Sequence, residues 1–243
     1  MRKISFILFT ILSINTYASE ALFNKANTLY MQEQYSNAIL LYDSIVSTGL
    51  ESSELYYNLG NCYYKNSDWA NAIWHYEKSL SISIDKRTLE NLELTKSQLI
   101  DRVEEMPQLF YKKWKENAIN VFTIKTWQKL TIICMWIILT IQLLNTFFNY
   151  KRKYLSILFN ILALILVYMS YISYQEKYKK NIGIIFSNST EVNSAPTRKS
   201  VNLFVLHPGT KVEIIDNINE WINIKIANGK NGWIKESDCK TLK

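Results

Sequence analysis

Tyr56-Tyr57-Asn58-Leu59-Gly60-Asn61-Cys62-Tyr63-Tyr64 is the stretch whose repetition organises the N-terminal half of the chain. Slid back by 34 residues, Asn58 falls on Asn24, Gly60 on Ala26, Asn61 on Asn27 and Tyr64 on Tyr30. The register continues with Trp69 on Tyr35, Ala72 on Ala38, Ile73 on Ile39 and Tyr76 on Tyr42. Small residues on both helices of each copy let them approach closely, and the large aromatics fill the space between copies. A fixed period of this length predicts stacked helical hairpins. Asp68, just before the second half of the second copy, is its predicted N-cap.

The spacing of small residue, aromatic, Ala and aromatic resembles the tetratricopeptide repeat over residues 19–106. The usual Pro at the end of each repeat is missing, with Leu50 and Ile84 in its place. Beyond Ile84, Leu89, Leu92, Leu99 and Val103 recur within a polar run, which predicts a long terminal helix capping the array; a partial third repeat is the alternative. The resemblance implies that a partner peptide lies along the inner face of the first helices. The matching positions here are Phe23, Asn27 and Tyr30, then Tyr57, Asn61, Tyr64 and Lys65. The Asn27 and Asn61 amides carry both donors and an acceptor for an extended backbone. The carboxylate clamp of some members has Lys where this chain has Phe23, so capture of a C-terminal carboxylate is not implied. Ordinary repeat surface is the other reading of these positions.

The 243 residues carry 28 Lys+Arg against 21 Asp+Glu, a net charge of +7 with a pI near 9.1. A 48% apolar content excludes a disordered chain. The charge is segmental. Residues 19–106 hold 7 basic and 13 acidic residues, whereas residues 107–180 hold 11 basic and 2 acidic. The excess thus borders the longest apolar runs, which points to a membrane surface and implies no nucleic-acid partner.

Residues 1–18 read as an export signal: Arg2 and Lys3, an apolar stretch Ile4–Ile14, then Thr16 and Ala18 before a cleavage site. An uncleaved anchor leaves the remaining topology unchanged. Leu130–Phe148 and Leu155–Tyr174 are uncharged and match the roughly 20 residues of a membrane-spanning helix. The short link 149–154 contains Lys151, Arg152 and Lys153, which favours the cytoplasmic side and predicts a hairpin over 130–174. Gln142 and Asn160 are expected to hydrogen-bond across it. In the juxtamembrane segment 107–129, Phe110, Tyr111, Trp114, Phe122 and Trp127 alternate with lysines, as at a headgroup layer.

Residues 181–243 carry strand signals at Ile182–Phe186, Leu203–Leu206, Lys211–Ile215, Trp221–Ile226 and Gly232–Ile234, with turns at 207–210 and at Asn228-Gly229. Leu206-His207-Pro208-Gly209-Thr210-Lys211-Val212, Glu220-Trp221-Ile222 and Asn231-Gly232-Trp233-Ile234 resemble the bacterial SH3 domain. Trp221, opposite the face of Ile222, Ile224 and Ile226, is either its ligand contact or the cover of a secondary mini-core. Three dispersed cysteines (Cys62, Cys134, Cys239) and two isolated histidines (His75, His207) form no metal or catalytic constellation. A scaffold without metal or cofactor is expected rather than an enzyme.

The expected fold is therefore multi-domain: an all-α tetratricopeptide solenoid, a two-helix transmembrane hairpin and a small all-β SH3-like barrel. That order of parts, with Met106-Pro107-Gln108-Leu109-Phe110 before the first span, resembles the BatE family of the Bacteroides aerotolerance operon. The resemblance implies an inner-membrane scaffold or adaptor with both modules periplasmic, acting in stress or oxygen tolerance. Its implied partners are von Willebrand A-domain membrane proteins and a MoxR-type ATPase. A sensor that binds peptidoglycan through the β module is the alternative.

Overall fold

The computed structural model describes residues 19–103, 114–115, 118–119, 121–122, 124–147, 153–178 and 181–242. The export signal at 1–18, Phe110 and Tyr111, and most of the basic link at 149–152 lie outside the described residues. The chain forms two compact units: residues 1–105 together with 181–243, and residues 106–180.

In the first unit the helices are α1 (19–31), α2 (Tyr35–Ser47), α3 (Ser53–Lys65), α4 (Trp69–Ile82) and α5 (Lys86–Lys96). Local chemistry sets three of the starts. The side chains of Ser52, Asp68 and Asp85 accept hydrogen bonds from the backbone N–H of Leu55, Asn71 and Thr88, three residues on. The α1–α2 and α3–α4 turns close identically: Gln34 N–H donates to Leu29 O at 2.9 Å, and Asp68 N–H to Tyr63 O at 3.0 Å. Each turn forces one residue into the left-handed region, Glu33 at φ 61° and Ser67 at φ 59°. Glycine has no Cβ to strain there, so Glu33→Gly and Ser67→Gly are each expected to stabilise the unit by about 0.5–1 kcal/mol, seen as a higher unfolding midpoint. Gly60 serves a different end. A Cβ on it would come 2.5 Å from the Tyr76 ring, so its absence is what lets α3 and α4 approach.

The C-terminal part is a single seven-stranded antiparallel sheet in the order β3-β2-β6-β5-β4-β1-β7. The strands are β1 (Asn181–Ile185), β2 (Thr190–Asn193), β3 (Asn202–Leu206), β4 (Lys211–Ile218), β5 (Trp221–Lys225), β6 (Asn231–Lys235) and β7 (Cys239–Thr241). Ile222, Ile224, Ile226 and Ile234 enter its core with Ile185, Val192, Leu206 and Val212.

This architecture corrects the expected one. The helical part has five helices and is not a long solenoid, and the β part is one seven-stranded sheet rather than the small barrel expected beside it. β2 and β7 each hold a single apolar residue, Val192 or Cys239, too few to mark a strand in the sequence. The helical and β parts also share one core: Ile184 of β1 is buried with Ala72, Ile73, Tyr76 and Leu92. The long terminal helix is corrected as well. α5 stops at Lys96, and the apolar positions beyond it serve the β part: Leu99 joins the shared core and Val103 packs on the sheet core.

The second unit contains two helices long and apolar enough to cross a membrane, Ile124–Phe147 and Lys153–Tyr178. Their most apolar stretches, Lys125–Leu144 and Ser156–Gln175, have mean hydropathies of 1.6 and 2.0. They pack on each other, with the Cys134 thiol 3.6 Å from the Phe159 carbonyl. The expected Gln142–Asn160 bond is not formed. Both side chains are exposed, and the Asn160 amide donates to Ser156 O on its own helix at 2.7 Å.

Candidate functional site

α1 and α3, the first helices of the two hairpins, and α5 beside them are tied by a ladder of amides. Tyr42 OH donates to Asn27 Oδ1 at 2.5 Å and Tyr76 OH donates to Asn61 Oδ1 at 2.8 Å, so both copies make the same bond. Burial raises both phenol pKa values, which keeps these hydroxyls protonated as donors. The Asn58 amide also donates to Asn27 Oδ1 at 3.1 Å, and the Asn91 amide to Asn61 Oδ1 at 2.8 Å. The two acceptors expected to meet a peptide backbone are therefore occupied within the fold. What Asn61 retains for a ligand is its amide N–H group.

Beside this ladder lies a groove of about 160 Å3 lined by Tyr30, Asn61, Tyr64, Lys65, Asn91 and Leu94. It joins four of the seven residues named from the sequence, and α5 contributes the other two. Tyr30 and Tyr64 are held edge-on by Tyr35 and Trp69, at 5.4 and 5.3 Å between ring centroids. Phe23 packs edge-on against Tyr42 instead, and Asn27 is committed to the ladder. Tyr57 lies under the Arg87 guanidinium, 5.2 Å from its ring centroid, and its hydroxyl accepts from Asn91. Asn91 and Leu94 were missed because a shift of 34 does not pair Asn58 with Asn91; a shift of 33 does, and also pairs the caps Ser52 and Asp85.

Trp221 is half-buried on the face of β5 away from the isoleucines, opposite Ile218 of β4 and Lys235 of β6. Trp233, opposite Asn223, shares that face. The helical groove and this β face are separate features.

A polar seam binds α4 and the segment after α5 to the sheet. Asp101 accepts from His207 N–H at 2.7 Å, from the His207 ring Nδ1–H at 2.7 Å and from Thr210 Oγ1–H at 2.6 Å. Burial works to raise its pKa, but the bonds from Thr210 and His207 outweigh it and hold the carboxyl below its ordinary value. Lys211 Nζ donates to the buried Glu77 carboxylate at 2.6 Å. Trp74 Nε1–H donates to Thr241 O at 3.0 Å, and Lys240 Nζ sits 4.0 Å from the Trp74 ring centroid. Gly209, at φ 90°, completes the fit, because a Cβ there would come 2.5 Å from the Leu99 side chain.

His75, Cys62 and Cys239 are packing residues in this arrangement. The His75 ring stacks on Tyr63 at 4.9 Å and burial lowers its pKa to about 4. Burial pushes the thiols of Cys62 and Cys239 up to about 12, which leaves them as neutral thiols.

No family model and no curated protein matches the chain. Among solved structures, NlpC1 and NlpC2 from Trichomonas vaginalis are similar to 26% of it at 17% identity, each with a TM-score of 0.24. The chain spans about a quarter of their length, 23% and 25% respectively. A likeness of that extent bears on neither fold nor activity.

Proposed function

We propose that this protein is a membrane-anchored adaptor that holds a segment of a partner protein in the groove between α1, α3 and α5. The observation that carries the reading is the groove itself. Rigid helices joined by buried-side hydrogen bonds present two tyrosines, two amides, one lysine and one leucine along a single trough. That mixture suits a peptide, whose backbone takes amide hydrogen bonds while its side chains meet aromatic and apolar surface. The BatE-family resemblance adds a cell-envelope complex for stress or aerotolerance, with von Willebrand A-domain membrane proteins as the expected partners.

The chain path supports a hairpin anchor. Residues before and after the two apolar helices belong to one compact unit, which fits a hairpin whose two flanks lie on the same side of a membrane. Together with the export signal read from the sequence, the reading has the compact unit in the periplasm and the basic link at 149–154 in the cytoplasm. Reporter fusions at Lys153 and Lys243 test it: cytoplasmic and periplasmic signals respectively are expected, and either reversed signal overturns the topology.

The groove is tested by a photoreactive residue at Asn61 in intact cells. A crosslink to a von Willebrand A-domain membrane protein is expected, and Tyr64→Ala with Lys65→Glu should reduce it about tenfold, a loss of about 1.4 kcal/mol. An unchanged crosslink in that double variant removes the groove from the interface. The second reading, a peptidoglycan-binding sensor, is favoured by Trp221 and Trp233 standing on one face of the sheet. It is checked by sedimenting the full chain with purified cell wall, because a β part cut from α4 would expose the buried Ile184.

A further inference from the structure

The two edges of the sheet are treated in opposite ways. At one end β7 is only three residues long, and α4 covers it: Trp74 Nε1–H donates to the Thr241 carbonyl, and Lys78 Nζ to that of Leu242 at 3.4 Å. At the other end β3 pairs with β2 alone, and among the described residues no strand follows it and no helix side chain bonds to it. Its sequence, Asn-Leu-Phe-Val-Leu, contains no charged residue and no proline to blunt the edge, and beyond a one-residue register shift at Leu203 it pairs regularly with β2 through Phe204, Val205 and Leu206. Val201, just before it, and Leu203 and Val205 within it are 70, 50 and 39% exposed, apolar surface beside open backbone donors and acceptors.

We propose that the β3 edge is a strand-pairing site for an extended, acidic and apolar segment of a partner protein. Charge selects the partner. Arg198 and Lys199 stand exposed just before the strand, and Lys230 Nζ lies 5.9 Å from the Phe204 ring centroid at its middle. Glu191 is the single acidic residue on β2 and β3. A second copy of this chain fits less well. Self-pairing about Phe204 would bring two Lys230 side chains together, and a five-residue strand covers far less than the roughly 800 Å2 per partner of a stable dimer. Backbone hydrogen bonds supply the affinity, and the exposed Leu203 and Val205 side chains meet apolar side chains of the incoming strand.

The test uses the full chain in detergent micelles and a fluorescein-labelled peptide alternating Val and Glu, read by anisotropy. Saturable binding that weakens with salt is expected. Leu203→Lys should weaken it about tenfold, and so should Lys199→Glu combined with Lys230→Glu, which leaves the apolar side chains in place. The same peptide with Lys for Glu, or with a central Pro, should bind at least about tenfold more weakly. Absence of saturable binding, or equal binding of the Glu and Lys peptides, overturns the proposal. A dimer in sedimentation that Leu203→Lys dissolves also overturns it, by giving the edge to a second copy.

Discussion

Asp101→Ala is expected to destabilise the compact unit by about 3 kcal/mol, since a charged acceptor lost from a partly buried site leaves its donors unpaired. Three donors depend on it: the His207 N–H, the His207 ring and the Thr210 hydroxyl. All three lie in the turn that Leu99 and Gly209 press against the helices, so the loss should loosen the docking of the sheet before either part melts. Urea unfolding of the full chain in detergent, followed by tryptophan fluorescence, reads it through Trp74 at the seam. A midpoint unchanged from wild type would show that the apolar core alone holds the two parts. Acid should do the same thing to the wild-type protein. The folded pKa of Asp101 lies below its unfolded value, so its contribution is complete above about pH 4 and is lost as pH falls through the folded value.

His75 should produce the second large effect, at a milder pH. Its ring is 5% exposed and stacked on Tyr63, with Nδ1–H donating to Asn71 O at 2.8 Å. Burial, reinforced by the nearby Lys240 charge, lowers its pKa to about 4 against the pull of the Asn71 carbonyl. The unfolded chain therefore takes up a proton near pH 6.5 that the folded chain refuses until about pH 4. Over that window the fold should lose about 3 kcal/mol on acidification. His75→Phe keeps an aromatic ring in the stack and removes the proton, so its stability should be nearly flat between those pH values. Equal slopes for the two proteins in urea titrations across this range would refute the assignment.

Much of the helical part is legible in the sequence because its causes are local. The 34-residue shift pairs Asn27 with Asn61 and Tyr42 with Tyr76, and the same tyrosine-to-asparagine bond forms once in each copy. Asp68 announces its helix by a side chain that needs only the next turn of backbone. The two long apolar helices are equally plain, since each contains an uncharged run of about 20 residues, long enough to cross a membrane. The groove is half legible. Tyr30, Asn61, Tyr64 and Lys65 follow from the repeat, whereas Asn91 and Leu94 lie where its register slips by one residue.

What tertiary structure alone decided is the union of the helical and β parts. Composition separates an acidic repeat segment, a basic apolar segment and a nearly neutral β segment, and the basic pI of 9.1 is an average over them. Nothing in that division says that Trp74 will bond a carbonyl 167 residues away, or that Asp101 will hold a turn 109 residues away at Thr210. Such pairings leave no period, because each depends on two surfaces whose shapes exist only after each has folded. The sequence by itself determined the hairpins, the apolar helices and most of the strands, through short-range hydrogen bonds and hydrophobic spacing. The docking of Ile184 against Ile73 and Tyr76 made one body of two segments, through burial that no local pattern encodes.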